Sequence, residues 1–503
     1  MLLKFAKSAR GDHNRRVANA DRLTGLDASF LHLERGGQAH MHVAEVLVFA
    51  GRPPAYVELV DHIRSRLELV PRYRQRLADV PLGQGRPVWV DDAHFNIRYH
   101  LRHTGLPAPG DDAALKRLAG RLFSQPLDRS KPLWELWLVE GLEGDRFAVI
   151  GKTHHALVDG IAGVDITTVL FDTAPEPVDT PQPPTPWVPR PAPTGAQLLA
   201  QALLERSTVP EEIARGARAA LRAPRKLASV ALERLNELGA FAWAGLEPAP
   251  RTPYNVPIGP HRRYEWADAD LDTFKAIKDA LGATINDVVL AVVAGALGRH
   301  LRSHGHRTAG LELRALVPVS VRGPGAEQAT GNRVAAVWAP LPVGETDPVA
   351  ALRRVHEAMD HVKSTHEAVG AQMLTELADF APPTLMSQAA RLQARQRLFN
   401  VVVTNVPGPQ FPLYLLGRRL TSIYPVVPLA ANQAIGIAVL SYDGRLGFGL
   451  LADHDALPDV AALGDMLRAS IDDLAAAAGV RPTPRRRRAR GANGRVTKTR
   501  APT

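Results

Sequence analysis

Two adjacent histidines, followed four residues later by an aspartate and a glycine, make His154-His155-Ala-Leu-Val-Asp159-Gly160 the stretch of this chain best equipped to move a proton. Neutral imidazole accepts a proton near pH 7, and a hydroxyl that attacks a thioester carbonyl must lose one as it does so. At the end of a strand, successive side chains point to opposite sides, so one imidazole can face a cleft while its neighbour supports the loop. A carboxylate four residues beyond His155 could orient that ring through its second nitrogen, or fix the loop by pairing with an arginine elsewhere. Gly160 supplies the positive-φ freedom for a turn. An ordinary pair of loop histidines with a helix-capping aspartate fits the same residues. A metal would need His155 and Asp159 on one helical face, but Gly160 and Gly163 interrupt such a helix and no third ligand stands nearby. No metal and no redox cofactor is expected.

Other chemistries fail on their own requirements. The chain has no cysteine, which removes thiolate nucleophiles, Cys-ligated zinc and disulfides together. Gly151-Lys152-Thr153 ends like a phosphate-binding loop, but Arg146 stands where that loop needs a glycine. No Gly-x-Ser-x-Gly elbow is present, so a serine hydrolase has no support.

The elements that must position the histidines are legible from periodicity and turn residues. Residues 134–139 and 147–152 read as a hairpin across a glycine-containing turn, with the motif where its second strand ends. Upstream, 43–49 reads as a strand, 56–69 as a helix, 98–101 as a short strand and 113–124 as a helix. Downstream, 271–281 and 286–300 read as helices and 312–321 as a strand, while 435–441 and 445–451 flank the hairpin turn Tyr442-Asp443-Gly444. Locally, Asn286 reads as the N-cap of its helix, and Leu133 and Trp134 read as core residues. Nine of the twenty residues 175–194 are proline, which allows neither helix nor central strand, and 196–246 carries broken helical periodicity. The expected organisation is a basic arm (1–19), a first domain bearing the histidines (20–174), a Pro-rich and helical crossover (175–260), a second domain (261–480) and a basic tail (481–503). The fold class is α/β (α+β).

HHALVDG matches the HHxxxDG signature of the coenzyme-A-dependent acyltransferase superfamily, and an ordered set of further segments resembles the bacterial wax ester synthase/diacylglycerol acyltransferase family in particular. These segments are Leu26-Asp27-Ala28-Ser29-Phe30, Lys131-Pro132-Leu133-Trp134-Glu135 and Thr252-Pro253-Tyr254-Asn255-Val256-Pro257-Ile258-Gly259 in the first half. In the second half they are Ile285-Asn286-Asp287-Val288-Val289-Leu290, Pro318-Val319-Ser320-Val321-Arg322, Gly331-Asn332 and Asn405-Val406-Pro407-Gly408-Pro409. The resemblance spans about residues 20 to 475. It implies two chloramphenicol-acetyltransferase-like domains forming a pseudo-dimer, with acyl-CoA and an acceptor, diacylglycerol or a long-chain alcohol, entering the interdomain cleft. It also implies His155 as general base, His154 in support, Asp159 as a largely structural group at the Gly160 loop, and supporting roles for Asn286, Asp287, Pro132, Leu133 and Trp134. Two rivals remain at this point: a condensation-type enzyme fed by a carrier protein, and a catalytically silent lipid-binding protein.

Charge bears on location. The net charge of +10 is concentrated in residues 481–503, which hold nine Lys or Arg and no acid, leaving 52 basic against 51 acidic side chains in the remainder. No specific nucleic-acid site is implied, since a polybasic segment without apolar partners binds anionic surfaces generally. With no signal peptide or spanning run in the sequence, the expected address is the cytoplasm, attached peripherally to the inner membrane face or to lipid inclusions. Each Lys or Arg near an anionic membrane adds about 1 kcal/mol, screened by salt. Removing residues 481–503 is therefore expected to weaken sedimentation with anionic vesicles at low salt and leave turnover of a short, soluble alcohol nearly intact. Equal vesicle binding by the truncated chain would show the tail to be irrelevant.

Overall fold

The computed structural model describes residues 22–34, 37–158, 170–176, 187–204, 248–320, 334–364 and 397–480. Runs rich in Val, Leu, Ile and aromatic residues become strands that gather into two six-stranded sheets. The first half contributes β1 (His42–Ala50), β2 (Gln75–Ala78), β3 (Val88–Asp91), β4 (Leu101–Gly105), β5 (Trp134–Leu142) and β6 (Arg146–His154). The second half contributes β7 (Arg262–Asp270), β8 (Leu313–Ser320), β9 (Val334–Leu341), β10 (Val401–Pro407), β11 (Tyr414–Leu415), β12 (Arg418–Val426), β13 (Ile435–Tyr442) and β14 (Arg445–Asp453).

Strand order does not follow the division of the chain. The first sheet runs β11-β12-β1-β6-β5-β4, the second β7-β14-β13-β10-β8-β9, and β2 and β3 form a separate ribbon. β12 thus leaves the second half to pair antiparallel with β1, from Ala44 opposite Val426 to Phe49 opposite Leu420. Within this same register β12 also packs over β14, and the packing requires glycine: a Cβ on Gly447 would collide with the carbonyl oxygen of Ile423, and one on Gly449 with that of Pro425.

The expected hairpins form. β5 and β6 join through Gly144 and Asp145, and β13 and β14 through Asp443 and Gly444, all four at positive φ, as tight hairpin turns require. The expected helices at 113–124 and 271–281 appear as Asp112–Phe123 and Leu271–Leu281. Two local expectations are corrected. Residues 97–100 form a helical turn because the Asn96 side chain caps the amide of Arg98 at 3.0 Å, and the strand begins only at Leu101. The helix expected from Asn286 starts at Ile285, and its cap is Thr284, which exchanges hydrogen bonds with Asp287 in a capping box. The Gly195–Leu204 helix packs Leu198 and Ala202 onto Val80, Val88 and Val90, so that part of the crossover is held against the β2–β3 ribbon. The remainder of 205–246 lies outside the described residues. Among the described residues no single helix is long and apolar enough to cross a membrane.

One hydrophobic cluster joins the halves. Val46, Val48, Ile150 and Phe123 of the first half pack with Tyr264, Trp266 and Leu451 of the second. The Asp112–Phe123 helix covers β7, the edge strand of the second sheet, with Lys116 ion-paired to Glu265 and 4.6 Å from the Trp266 ring. At one end of this interface the buried Arg262 guanidinium donates to the carbonyls of Gly259, His261 and Gln38 and lies 3.6 Å from Asp453, while its own amide donates to Ser124 Oγ at 2.8 Å. The close passage of β12 over β14 sets the expectation here. Overpacking a tight core site costs about 1–3 kcal/mol, so Gly449→Ala is expected to lower the unfolding free energy by that order, read as a lower urea midpoint. An unchanged midpoint would mean that the two strands separate without cost.

Candidate functional site

β6 carries the histidines to its end because its last amides are held from both sides. The His154 amide donates to the Leu133 carbonyl at 3.0 Å on the β5 side, and the His155 amide donates to the Met41 carbonyl at 2.8 Å on the β1 side. A short helix, His155–Val158, starts at once. The abrupt change from strand to helix separates the two rings. His155 is half-buried and lies against Phe30 of the Gly25–Leu33 helix, ring centroids 4.1 Å apart. His154 is 1% exposed and turns into the protein.

Glu34 fixes His154, and nothing in the sequence announces it. The Ala156 amide donates to His154 Nδ1 at 3.1 Å, which leaves Nε2 to carry the hydrogen that faces Glu34 Oε1 at 3.3 Å. The same carboxylate accepts the Met41 amide at 2.6 Å and the Arg129 guanidinium at 2.6 Å. Burial alone would raise the Glu34 carboxyl, but its hydrogen bond with His154, together with Arg129 and the Met41 amide, outweighs it and holds the carboxyl down at about 2. Because Met41 also accepts the His155 amide, Glu34 grips both histidines, one directly and the other through a single residue.

The surroundings are rich in buried cations. Lys152, 2% exposed and two residues before His154 on the same face of β6, donates to the carbonyls of Gln125 at 2.9 Å and Leu122 at 3.3 Å, and lies 3.5 Å from Glu135. These carbonyls end the Asp112–Phe123 helix, where the helix dipole favours a cation. This is the lysine of Gly151-Lys152-Thr153, and it is packed as a core group. Burial, opposed by Glu135, pushes its pKa down. Burial and then Lys152 push His42 well below the usual imidazole range; burial and then Arg262 lower His40. Those two rings stack with centroids 5.7 Å apart and are neutral at pH 7.

Pro132 is buried, and Leu133 and Trp134 are fully so; Trp134 donates its indole N–H to the Tyr73 carbonyl at 2.8 Å and stacks on His100 at 4.6 Å. The segment is core, and its link to the histidines is the Leu133 carbonyl. Asn286 is half-buried in the first turn of the Ile285–Ser303 helix. Asp287, wholly buried, accepts the Thr284 amide at 2.9 Å and faces His356 Nδ1 at 2.8 Å, contacts that tie it to the second half's own core. Asp159 and Gly160 lie outside the described residues.

Residues 23–289 match the wax ester synthase/diacylglycerol acyltransferase catalytic domain, and residues 330–475 match the corresponding C-terminal domain. A putative diacylglycerol O-acyltransferase of Mycobacterium tuberculosis is 34% identical, covering 91% of this chain and 90% of the relative. A probable diacylglycerol O-acyltransferase of the same organism is 33% identical over 92% of this chain and 98% of its own length. Among solved structures, a wax ester synthase/diacylglycerol acyltransferase from Marinobacter aquaeolei VT8 superposes with a TM-score of 0.64 at 29% identity, covering 91% of this chain and 100% of that one. The first condensation domain of the calcium-dependent antibiotic synthetase shares the fold alone, with a TM-score of 0.53 at 15% identity over 92% of this chain and 97% of that one.

Glu34 generates a pH test. Its folded pKa lies below the unfolded value of 4.5, so its contribution is fully present above about pH 4.5 and lost as pH falls through about 2. The shift corresponds to a contribution on the order of 3 kcal/mol. Glu34→Gln is expected to be less stable than the unaltered chain by that order at pH 7, with the difference in unfolding free energy closing as pH falls toward 2. A difference independent of pH would show that the carboxylate charge is not what matters.

Proposed function

The chain belongs to the wax ester synthase/diacylglycerol acyltransferase family and is an acyltransferase, and from that premise we propose that it moves a long-chain fatty acyl group from acyl-CoA to diacylglycerol or a long-chain alcohol, with His155 as general base. The observation that carries this reading is the different placement of the two imidazoles. His154 is buried, its Nδ1 taken by the Ala156 amide and its Nε2 facing Glu34 at 3.3 Å, while His155 is half-buried at the strand end with its ring set against Phe30. Of the two, His155 is the one a substrate can reach. Its backbone, fixed through Met41, gives the ring a defined place before substrate arrives.

In the proposed reaction the His155 imidazole takes the proton from the acceptor hydroxyl as its oxygen bonds to the thioester carbonyl carbon. The tetrahedral adduct then expels the coenzyme A sulfur, the C–S bond breaks, and the imidazolium returns the proton to the thiolate. The products are an ester and free coenzyme A. The thioester supplies the driving force, so the step draws on no redox group. Asp159 takes in this proposal the largely structural role that the family's motif implies. The insoluble acceptor places the reaction at a lipid surface, with the basic tail as the proposed contact to anionic membrane or lipid-droplet head groups.

The test offers purified chain one labelled long-chain acyl-CoA with diacylglycerol and, separately, hexadecanol. Loss of a general base costs about 100- to 10,000-fold. His155→Ala is expected to lose activity to that extent while keeping its circular dichroism; His154→Ala is expected to lose less activity and more stability. Full activity in the His155 variant would remove it from the mechanism. Failure to use free acyl-CoA, with turnover restored by a carrier-bound acyl group, would replace this reading with a condensation-type one.

A further inference from the structure

A second group of chemically capable side chains sits in the other half of the molecule. His300 and His304 lie one turn apart at the C-terminal end of the Ile285–Ser303 helix, His304 as its C-cap. Both face Asp459, the N-cap residue of the Val460–Ala477 helix. His300 Nε2 and His304 Nε2 are each 3.3 Å from the same oxygen, Asp459 Oδ2, and the three ligand atoms lie within 4.8 Å of one another.

The outer nitrogens are committed elsewhere. His304 Nδ1 lies 2.9 Å from the His300 carbonyl, which can only accept, so that nitrogen carries the hydrogen and Nε2 keeps its lone pair. His300 Nδ1 is 3.0 Å from the hydroxyl of Tyr254, a fully buried residue whose own proton has an acceptor in the Leu297 carbonyl at 3.3 Å. His300 Nδ1 is thereby occupied, and its Nε2 is the nitrogen that faces Asp459, 3.4 Å from Oδ1 and 3.3 Å from Oδ2. Two imidazole nitrogens and a carboxylate oxygen therefore converge on one point, each a donor atom of the kind transition ions take.

We propose that His300, His304 and Asp459 form a binding site for a divalent first-row transition ion, zinc foremost, that staples the two helix ends together. Both nitrogen–oxygen spacings of 3.3 Å fit, since ligand atoms about 2.0–2.1 Å from a tetrahedral zinc stand about 3.3–3.4 Å apart. The donor set also fits, since imidazole with carboxylate selects transition ions over magnesium or calcium. Hydrogen-bonded outer nitrogens are what metal-bound imidazoles require to hold one orientation. His304 and Asp459 are partly open to solvent, so water can complete the coordination.

The site is structural. It lies eighteen residues, about 27 Å of helix, from Asn286, and through Tyr254 it reaches the segment by which the chain enters the second half. It is independent of the proposed acyl transfer.

The test uses the full chain without a histidine tag, stripped with chelator and titrated with zinc chloride by calorimetry and by thermal melting. One equivalent is expected to bind and raise the melting temperature. His304→Ala, a partly exposed position, and Asp459→Asn are each expected to weaken binding at least tenfold and abolish the rise. The rise is expected to fade as pH drops toward 5 and the imidazoles take up protons. Turnover at 25 °C is expected to be indifferent to chelator. The proposal is overturned if zinc at 100 µM leaves the melting temperature unchanged, or if the His304 and Asp459 variants bind zinc as the unaltered chain does.

Discussion

The shared backbone of β1 is the constraint on which the rest depends. A strand inside a sheet has hydrogen-bonding groups on both edges, and buried groups left unmade are costly. β1 meets this demand with β6 on one edge, from His42 opposite His154 to Ala50 opposite Arg146, and with β12 on the other. β6 delivers the histidines, and β12 comes from the far half of the chain. The strand beside the site is therefore complete only when residues some 370 positions later have returned to pair with it, and the first half alone would expose a long unpaired edge. The return is possible because Gly447 and Gly449 leave room for β12 to cross β14. The two halves are one folding problem.

The charges around the histidines follow from the same burial. Removing a lysine, an arginine and several imidazoles from water costs several kcal/mol for each ion left charged, so each must find partners or give up its proton. Lys152 and Arg262 find backbone carbonyls and carboxylates, His40 and His42 stay neutral, and Glu34 remains ionised between His154 and Arg129. The result is a fixed electrostatic frame that holds His154 and leaves His155 at its margin.

What the sequence could disclose was local. The hairpins around the histidines and at Asp443-Gly444 were readable because glycine and aspartate at positive φ are needed within a few residues of where they act. The cap at Thr284 was within reach too, but Asn286 is an equally good capping residue by type, and only the buried Asp287 closing the box decides between them. Glu34 lies 120 residues from His154 and is flanked by nothing that marks it. The pairing of β12 with β1 leaves no trace in periodicity, since a central strand looks the same in either sheet. His300 and His304 show a helical ligand spacing, yet their third partner is 155 residues away, beyond what local inspection connects.

Lys152 carries a further consequence. An enzyme that handles activated acyl groups faces a hazard from its own amines, because an uncharged amine attacks the same carbonyls as the intended acceptor. A lysine two residues from the histidines, with a depressed pKa, would be the first casualty. Here its nitrogen is sealed from solvent and its hydrogens point at the Leu122 and Gln125 carbonyls and toward Glu135, so it stays a cation with no lone pair to offer. The packing that anchors the end of β6 also protects the protein from acylating itself.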